Sequence, residues 1–303
     1  MADLTADLGF IKLKNPVIPA SGTFGYGGEF LRFFDLDLLG AFVMKGVYLE
    51  EREGNDPPRI RETYSGLLNS IGLAGPGAEG LTTIIKDVAL KTSTPIIVNV
   101  CGGSDEEYLA VASIFDDMEE VAMLELNISC PNVREGGSCP AQSPHDTGRV
   151  VKLVKENTKK PLIVKLSPNV SDIAAIAGSA EEAGADAISV VNTFLGLALD
   201  IEKRRPVFKN FFAGLSGPAI KPLALKIVWE VANAVDIPVI GIGGIMTGRD
   251  VLEFILAGAA AVQTGTVNIV EPTGSVRIIN ETMELMDQLK IKSLEEIRGG
   301  LKI

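Results

Sequence analysis

The sequence is poor in the residues that bind metals or form covalent cross-links. It has one histidine, His145, and three cysteines, Cys101, Cys130 and Cys139, among 303 residues. No Cys-x-x-Cys pair occurs, so the spacing supports neither a structural zinc site nor an iron–sulfur cluster in this chain. An odd, small number of cysteines is typical of proteins from a reducing compartment.

Long apolar runs and a net positive charge are also missing. No apolar stretch approaches the roughly 18 residues that a membrane-spanning helix needs, and the start, MADLTADLGF, has no signal-peptide core. Lysine and arginine number 28 against 39 acidic residues, a formal net charge of -11 that repels a phosphate backbone. We therefore expect a cytoplasmic protein that binds neither a membrane nor nucleic acid.

Short apolar runs rich in Val, Ile and Ala are the most regular feature that is present. With 46% hydrophobic residues, the chain can fill one large core. Because the runs are continuous rather than alternating, they predict strands buried on both faces, as in a parallel sheet. The eight predicted strands are 16–20, 42–44, 96–100, 122–126, 162–166, 187–191, 239–242 and 261–263.

Segments with helical character separate these strands, and several begin at Asp, Ser or Thr caps. Strand–helix alternation repeated about eight times predicts an α/β protein, a (β/α)8 TIM barrel, with residues 1–303 as one domain. A doubly wound open sheet is the alternative, because periodicity does not show whether a sheet closes. The predicted helices are 78–92, 106–118, 147–157, 173–182, 220–234, 248–256 and 275–289.

Polar residues or glycines stand at the end of the predicted strands. In a TIM barrel the carboxyl ends of the strands carry the functional site, so these residues should meet at one rim. Hydroxyls, carboxamides and two lysines together suit a large, flat, partly anionic ligand. The set comprises Ser21, Lys45, Gly46, Asn99, Asn127, Lys165, Asn192, Thr193, Gly243, Gly244, Gly265 and Thr266.

Two glycine-containing pairs indicate where a phosphate would bind. Gly243-Gly244 and Gly265-Thr266 follow the seventh and eighth predicted strands, where barrels bind phosphate through backbone N–H groups. Either pair alone is as consistent with a tight turn, but on adjacent strands they favour a phosphate. FMN satisfies the whole pattern, with Lys165 as the cation that stabilises the reduced ring at its N1–C2=O edge.

A thiol lies between two carboxamides in the stretch Glu125-Leu126-Asn127-Ile128-Ser129-Cys130-Pro131-Asn132. The apolar run ends there and a Pro- and Gly-rich loop begins. A cysteine in such a loop can act as a nucleophile or, as its thiolate, as a general base. An isolated cysteine is more often a small buried hydrophobic residue, so the assignment depends on the rest of the chain.

Five motifs lie along the chain: Asn69-Ser70-Ile71-Gly72, Asn127-Ile128-Ser129-Cys130-Pro131-Asn132, Val164-Lys165-Leu166-Ser167-Pro168, Asn192-Thr193 and Gly214-Leu215-Ser216-Gly217-Pro218. Together they resemble the dihydroorotate dehydrogenase family over essentially the whole chain. The loop after Cys130, with Val133, Arg134 and Gly136-Gly137, is similar to that of the NAD-linked, two-subunit class (class 1B). Arg134 stands where lysine is the more frequent residue in that class.

The resemblance implies a catalytic subunit that oxidises (S)-dihydroorotate to orotate in de novo pyrimidine (UMP) biosynthesis. Cys130 would take the proton from C5 while hydride passes from C6 to the flavin. Electrons would continue to NAD through a partner subunit that carries FAD and a [2Fe–2S] cluster. The resemblance also implies a homodimer of catalytic chains within a heterotetramer, and it implies no metal site on this chain.

The resemblance also implies ligand contacts by position. FMN contacts are implied for Ser21, Lys45, Gly46, Asn99, Asn127, Lys165, Val191, Gly217, Gly243, Gly244, Gly265 and Thr266. Orotate contacts are implied for Lys45, Asn69, Ser70, Ile71, Gly72, Leu73, Asn127, Asn192 and Thr193.

Other functions explain part of the pattern. A Schiff-base aldolase or a phosphate-binding isomerase would use Lys165 and the glycine pairs, but not the Cys130 loop or the Asn69 motif. A non-catalytic flavin-binding subunit would not need the thiol. A fumarate-linked dihydroorotate dehydrogenase, or another FMN-dependent pyrimidine oxidoreductase, shares most of the motifs. No Gly-x-Gly-x-x-Gly directly follows a predicted strand, which favours a separate NAD-linked partner.

Overall fold

The computed structural model describes residues 2–129 and 142–302, so Cys130 and Cys139 lie outside the described residues. In these two ranges the strands are β1 (Ala6–Asp7), β2 (Lys12–Leu13), β3 (Val17–Pro19), β4 (Phe42–Val43), β5 (Ile60–Thr63), β6 (Gly66–Asn69), β7 (Ile96–Val100), β8 (Val121–Asn127), β9 (Leu162–Lys165), β10 (Ala187–Val190), β11 (Phe194–Leu197), β12 (Leu199–Asp200), β13 (Arg205–Pro206), β14 (Phe212–Ser216), β15 (Val239–Ile242) and β16 (Ala261–Thr264). The α-helices are α1 (Gly77–Ala89), α2 (Asp105–Asp116), α3 (Pro144–Glu156), α4 (Ile173–Glu182), α5 (Lys221–Ala232), α6 (Gly248–Leu256), α7 (Val267–Val270) and α8 (Gly274–Leu289).

A parallel sheet of eight strands forms the centre of the fold, in the order β3-β16-β15-β10-β9-β8-β7-β4. The two end strands also approach each other, since the Gly40 N–H donates to the Val17 carbonyl at 3.2 Å. The sheet is therefore nearly closed, and the predicted (β/α)8 barrel is confirmed over the doubly wound alternative. Each strand of this sheet ends within one residue of its predicted bounds.

The predicted helix bounds differ from the observed ones by up to three residues, against one for the barrel strands, and the start of α3 is an example. It begins at Pro144, whereas the sequence pattern places its start at residue 147. The Ser143 side chain accepts a hydrogen bond from the Asp146 N–H, and proline occupies the first helical position. Both are helix-start signals, and they precede the first apolar residue that the periodicity detects.

The interior of the barrel is layered. An apolar layer closes its amino-terminal end, where the β1–β2 hairpin contributes Leu8 and Leu13. Because every second residue of a strand faces the same side, the next inward positions lie one step closer to the carboxyl rim. There the barrel holds a buried polar layer: Asn99, Glu125, Lys165, Ser189 and Gln263.

The two long connections, residues 46–94 and 192–217, pair with each other above the carboxyl rim. Their strands form an antiparallel sheet in the order β11-β14-β6-β5, here termed the cover sheet. An ion pair between Lys209 Nζ and an Asp56 carboxylate oxygen, 2.5 Å apart, also joins them. The space between rim and cover sheet is therefore enclosed by residues distant in sequence.

One Gly-x-Gly-x-x-Gly spacing does occur, at Gly75, Gly77 and Gly80, and it opens α1. The preceding strand, β6, pairs antiparallel with β5 and β14 in the cover sheet. A dinucleotide-binding turn belongs to a parallel βαβ unit, so this spacing does not mark one. Within the described ranges, no helix is long and apolar enough to cross a membrane.

Candidate active site

A cavity of about 370 Å³ lies between the carboxyl rim of the barrel and the cover sheet. This volume is in the range of small-molecule sites. Of the predicted ligand contacts, the lining contains Ser21, Lys45, Gly46, Asn69, Ser70, Ile71, Gly72, Leu73, Asn127, Lys165, Val191, Asn192, Thr193, Gly217, Gly243, Gly244, Gly265 and Thr266. Only Asn99, behind the wall, and Cys130, outside the described residues, are not in this lining.

One end of the cavity is formed by glycine backbone. Gly217, Gly243 and Gly244 have φ values of 96°, 132° and 74°, a region that favours glycine. A Cβ on Gly244 would lie 2.8 Å from the Lys221 backbone nitrogen and 2.9 Å from the Gly217 carbonyl oxygen. Glycine at position 244 is therefore required by the fold, independently of any ligand.

Gly265 at the same end is different. A Cβ built on it would have only Thr23 Cγ2 as a neighbour, at 4.0 Å, and both residues line the cavity. Next to it, the Thr266 hydroxyl donates to the Ser216 hydroxyl at 2.9 Å. The absence of a side chain at Gly265 therefore leaves space in the cavity, and it is not needed to avoid a steric clash within the fold.

Lys165 lies at the centre of the cavity floor, at the end of β9. Its side chain is almost fully buried, and Nζ donates to Glu125 Oε1 at 3.4 Å and to Gln263 Oε1 at 3.5 Å. A cation held this far from water interacts strongly with a charge that enters the cavity.

Asn99 supports the cavity wall from behind. It is fully buried, donating through Nδ2 to Glu125 Oε1 at 2.6 Å and accepting from Asn127 Nδ2 at 3.1 Å. The Asn127 amide, which does reach the cavity, is therefore held in one orientation.

Amide side chains surround the other end of the cavity. Asn192 Nδ2 donates to Ser129 Oγ at 2.6 Å, and that hydroxyl donates to Asn127 Oδ1 at 2.7 Å. From the cover sheet, Asn69 Nδ2 donates to the Gly214 carbonyl at 3.1 Å. These bonds fix the amides before any ligand arrives, which is the arrangement that a planar ligand with several polar edges needs.

Lys45 follows β4 and is half-buried at this amide-lined end. Burial lowers the pKa of its ammonium, the like charge of Arg59 lowers it further, and Glu29 acts in the opposite direction. An anionic ligand group beside Lys45 would offset this unfavourable environment. The cavity therefore has a cationic group both at its floor and at its amide-lined end.

Sequence reasoning predicted contacts from Asn69 and its neighbours, but it did not detect the strands of the cover sheet and it assigned no role to Glu125. The cover sheet adds Ile60, Leu67, Leu195, Phe212 and Ser216 to the lining. Their strands are short and partly exposed, so hydrophobic periodicity does not detect them. Glu125 did leave a signal, because an acidic residue inside an apolar strand is rarely without a role.

Comparison with known proteins agrees with this geometry. The family model described as dihydroorotate dehydrogenase matches residues 4–286. Proteins from Citrifermentans bemidjiense and Alkaliphilus metalliredigens are 49% and 50% identical over 301 residues, 99% of each chain. A protein from Bacteroides fragilis is 46% identical over 303 residues, 100% of each chain. All three are named dihydroorotate dehydrogenase B (NAD(+)), catalytic subunit. Since these matches run through the barrel, the cover sheet and the cavity between them, the chain belongs to the dihydroorotate dehydrogenase family.

Proposed function

We propose that this chain is the catalytic subunit of an NAD-linked dihydroorotate dehydrogenase, which oxidises (S)-dihydroorotate to orotate in pyrimidine (UMP) biosynthesis. The observation that carries the proposal is the composition of one cavity. Glycine backbone forms one end, buried Lys165 the floor, and fixed amides with Lys45 the other end. The names of the similar proteins favour NAD over fumarate as the final acceptor.

The residues present fit FMN, which supplies the hydride acceptor when bound. The glycine end offers backbone N–H groups and the open space beside Gly265 to a phosphate. Lys165 and Asn127 offer a cation and a carboxamide to the polar edge of a flavin ring. Ser21, Val191 and Thr266 complete this part of the lining.

The amide-lined end fits a small cyclic diamide that carries a carboxylate. Asn69, Asn127 and Asn192 each use one amide hydrogen in the bonds described above, which leaves the second for the polar edges of such a ring. Lys45 provides the positive charge for a carboxylate. Holding these groups in place fixes the orientation of the substrate ring in the cavity.

Cys130 is the proposed base, and its thiolate takes the proton from C5 of dihydroorotate. It follows directly after Ser129, whose hydroxyl is already bonded to both Asn127 and Asn192. Ser129, the last described residue before Cys130, therefore lies at the amide-lined end of the cavity.

Anaerobic titration of the purified protein with dihydroorotate tests the proposal. We expect the flavin absorbance to bleach and orotate to form in equal amounts. Cys130→Ser should bind FMN normally but reduce it orders of magnitude more slowly near neutral pH, recovering as the pH rises, because a hydroxyl is a far weaker acid than a thiol. Cys139→Ala is the matched control and should keep the wild-type rate. A protein without flavin, or one not bleached by dihydroorotate, contradicts the proposal.

We further propose that residues 1–303 act as one FMN-binding domain in the cytoplasm, and that two catalytic chains pair within a heterotetramer. The partner subunit would carry FAD and a [2Fe–2S] cluster. The printed name "catalytic subunit" of the similar proteins supports a separate partner. Co-expression with a candidate partner and measurement of the mass of the complex test the stoichiometry, and a stable heterodimer of one catalytic chain and one partner would contradict it.

A further inference from the structure

Glu125 is the one side chain of the buried polar layer that carries a negative charge, and the function proposed above does not use it. It lies on β8 with no solvent exposure. Groups from four other strands donate to its carboxylate: Asn99 Nδ2 at 2.6 Å and Lys165 Nζ at 3.4 Å to Oε1, and Ser189 Oγ at 3.0 Å and Gln263 Nε2 at 2.5 Å to Oε2.

A charged residue at this position is costly for the fold. Burying a carboxylate and an ammonium together carries a desolvation penalty that their attraction often fails to offset, and apolar side chains of similar volume are commonly as stabilising. One layer lower, the same barrel is filled with apolar residues such as Ile97, Met123 and Ile163. The filling of the barrel therefore does not by itself account for Glu125, and the adjacent cavity does.

The carboxylate determines both the place and the effective charge of Lys165. The ammonium donates downward to Glu125 and to Gln263, so it is held at the floor of the cavity. A carboxylate this close also offsets much of the positive charge that Lys165 presents to a ligand. The same carboxylate orients the wall, because it accepts from Asn99 Nδ2 and so turns Asn99 Oδ1 toward Asn127.

We propose that Glu125 is a positioning residue that acts through Lys165 and sets how much more tightly the site binds reduced FMN than oxidised FMN. This inference rests on the proposed FMN site. With Glu125 present, Lys165 offers a moderated positive charge to the ring edge that becomes more negative on reduction. Without the carboxylate, the ammonium interacts with that edge unopposed, and reduced FMN is favoured further.

The test measures the midpoint potential of the bound flavin, by equilibration with reference dyes, in Glu125→Gln, Lys165→Met and the double variant. Glu125→Gln has nearly the same shape as the wild type and should raise the ratio of affinities for reduced over oxidised FMN at least tenfold. For a two-electron couple, that factor corresponds to a rise of about 30 mV. Lys165→Met should lower the ratio, and adding Glu125→Gln to it should change the ratio less than twofold.

Ser189→Ala is the matched control, because it removes one hydrogen bond from the same carboxylate and leaves both charges in place. Its ratio should stay within twofold of wild type. If Glu125→Gln fails to fold, Glu125→Asp should still raise the ratio at least twofold, since it withdraws the carboxylate from Lys165 by one methylene group.

Two results overturn the inference: an unchanged potential in the Glu125 variants, or an equal change with and without Lys165. The second would show that the carboxylate acts on the flavin directly. A wild-type protein that does not bind FMN defeats the proposed function instead, so the two failures are distinguishable.

Discussion

At the scale of single residues, the glycines of the cavity separate into those needed by the fold and one that leaves room for a ligand. Gly265→Ala should lower FMN affinity about tenfold or more, because the added methyl group enters the cavity and meets only Thr23 at 4.0 Å. The thermal unfolding temperature of the apoprotein should not change. Fluorescence titration of FMN and a melting curve check both expectations.

Gly244→Ala is the matched comparison. Its methyl group would collide with Lys221 and with the Gly217 carbonyl at a φ of 74°. We expect it to lose FMN affinity and also about 1–3 kcal/mol of stability, since non-glycine residues in such conformations carry strain of this order. If Gly265→Ala binds FMN as tightly as wild type, the phosphate does not lie at this end of the cavity.

The lowered pKa of Lys45 predicts how ligand binding depends on pH. Burial lowers the pKa of Lys45 below its usual 10.5. As the pH rises through this lowered pKa, the lysine loses the charge that the ligand carboxylate needs. The dissociation constant of orotate should therefore begin to increase at a lower pH than it would if Lys45 had the pKa of an exposed lysine. Calorimetric titration with orotate from neutral to alkaline pH measures this dependence.

Lys45→Gln is the control for changes in the ionisation of orotate over the same pH range. Losing a charge-assisted hydrogen bond should weaken orotate binding roughly tenfold or more at neutral pH. Any dependence on pH that remains in this variant belongs to the ligand. A variant whose curve parallels the wild-type curve would mean that Lys45 does not contact the carboxylate.

At the scale of elements, Asp37 connects the short turn Leu36–Leu38, which precedes β4, to the segment that precedes β7. Its Oδ1 accepts from Thr92 Oγ1 at 2.6 Å, the Ser93 N–H at 2.8 Å and Thr94 Oγ1 at 3.3 Å. These hydrogen bonds, of which the one from Thr92 has the largest effect, lower the pKa of Asp37 from 3.8 to about 2. Two neighbouring barrel strands are thereby joined at their amino-terminal ends.

Asp37→Ala should lower the free energy of unfolding by about 1 kcal/mol at neutral pH, a modest value because the group is partly exposed. A lowered carboxyl pKa stabilises the fold above the unfolded value of 3.8, and this contribution is lost as the pH falls toward about 2. The difference between wild type and variant in urea unfolding should shrink over that window. Asp37→Asn keeps the accepting oxygen, so it should lose less stability, and a pH-independent difference for Asp37→Ala would contradict the assignment.

At the scale of the whole molecule, the cavity between the carboxyl rim and the cover sheet suits FMN. The described residues contain no cluster of three or more metal-binding side chains. Their Gly-x-Gly-x-x-Gly spacing lies beside the antiparallel cover sheet rather than in a dinucleotide fold. Under the proposed function, an electron that reaches the flavin leaves through the partner subunit.

The isolated chain should be reduced by dihydroorotate under anaerobic conditions but should pass electrons to NAD only after a partner subunit is added. Stopped-flow measurement of NADH formation, with and without the partner, checks this. Fumarate serves as the control acceptor, and its rapid reduction would favour the fumarate-linked class. Rapid NADH formation by the chain alone would show that no partner is needed.

Much of this protein follows from local sequence. Strands buried on both faces are continuous apolar runs, so their number, order and bounds could be predicted, as for residues 96–100 and 239–242. The residues at the end of each run had to lie on one rim once the strands were parallel. The positions of Lys45, Lys165 and Asn192 in the cavity lining follow from this geometry.

Only the tertiary structure shows the features that depend on contacts between segments far apart in the chain. Nothing local in the cover-sheet strands shows that β6 pairs with β14, because their register is set by contacts across about 150 residues. Nor does sequence show that Glu125 meets Asn99, Lys165, Ser189 and Gln263, one residue from each of four other strands. A strand pattern determines which way a side chain faces, whereas closure of the sheet determines which side chains meet.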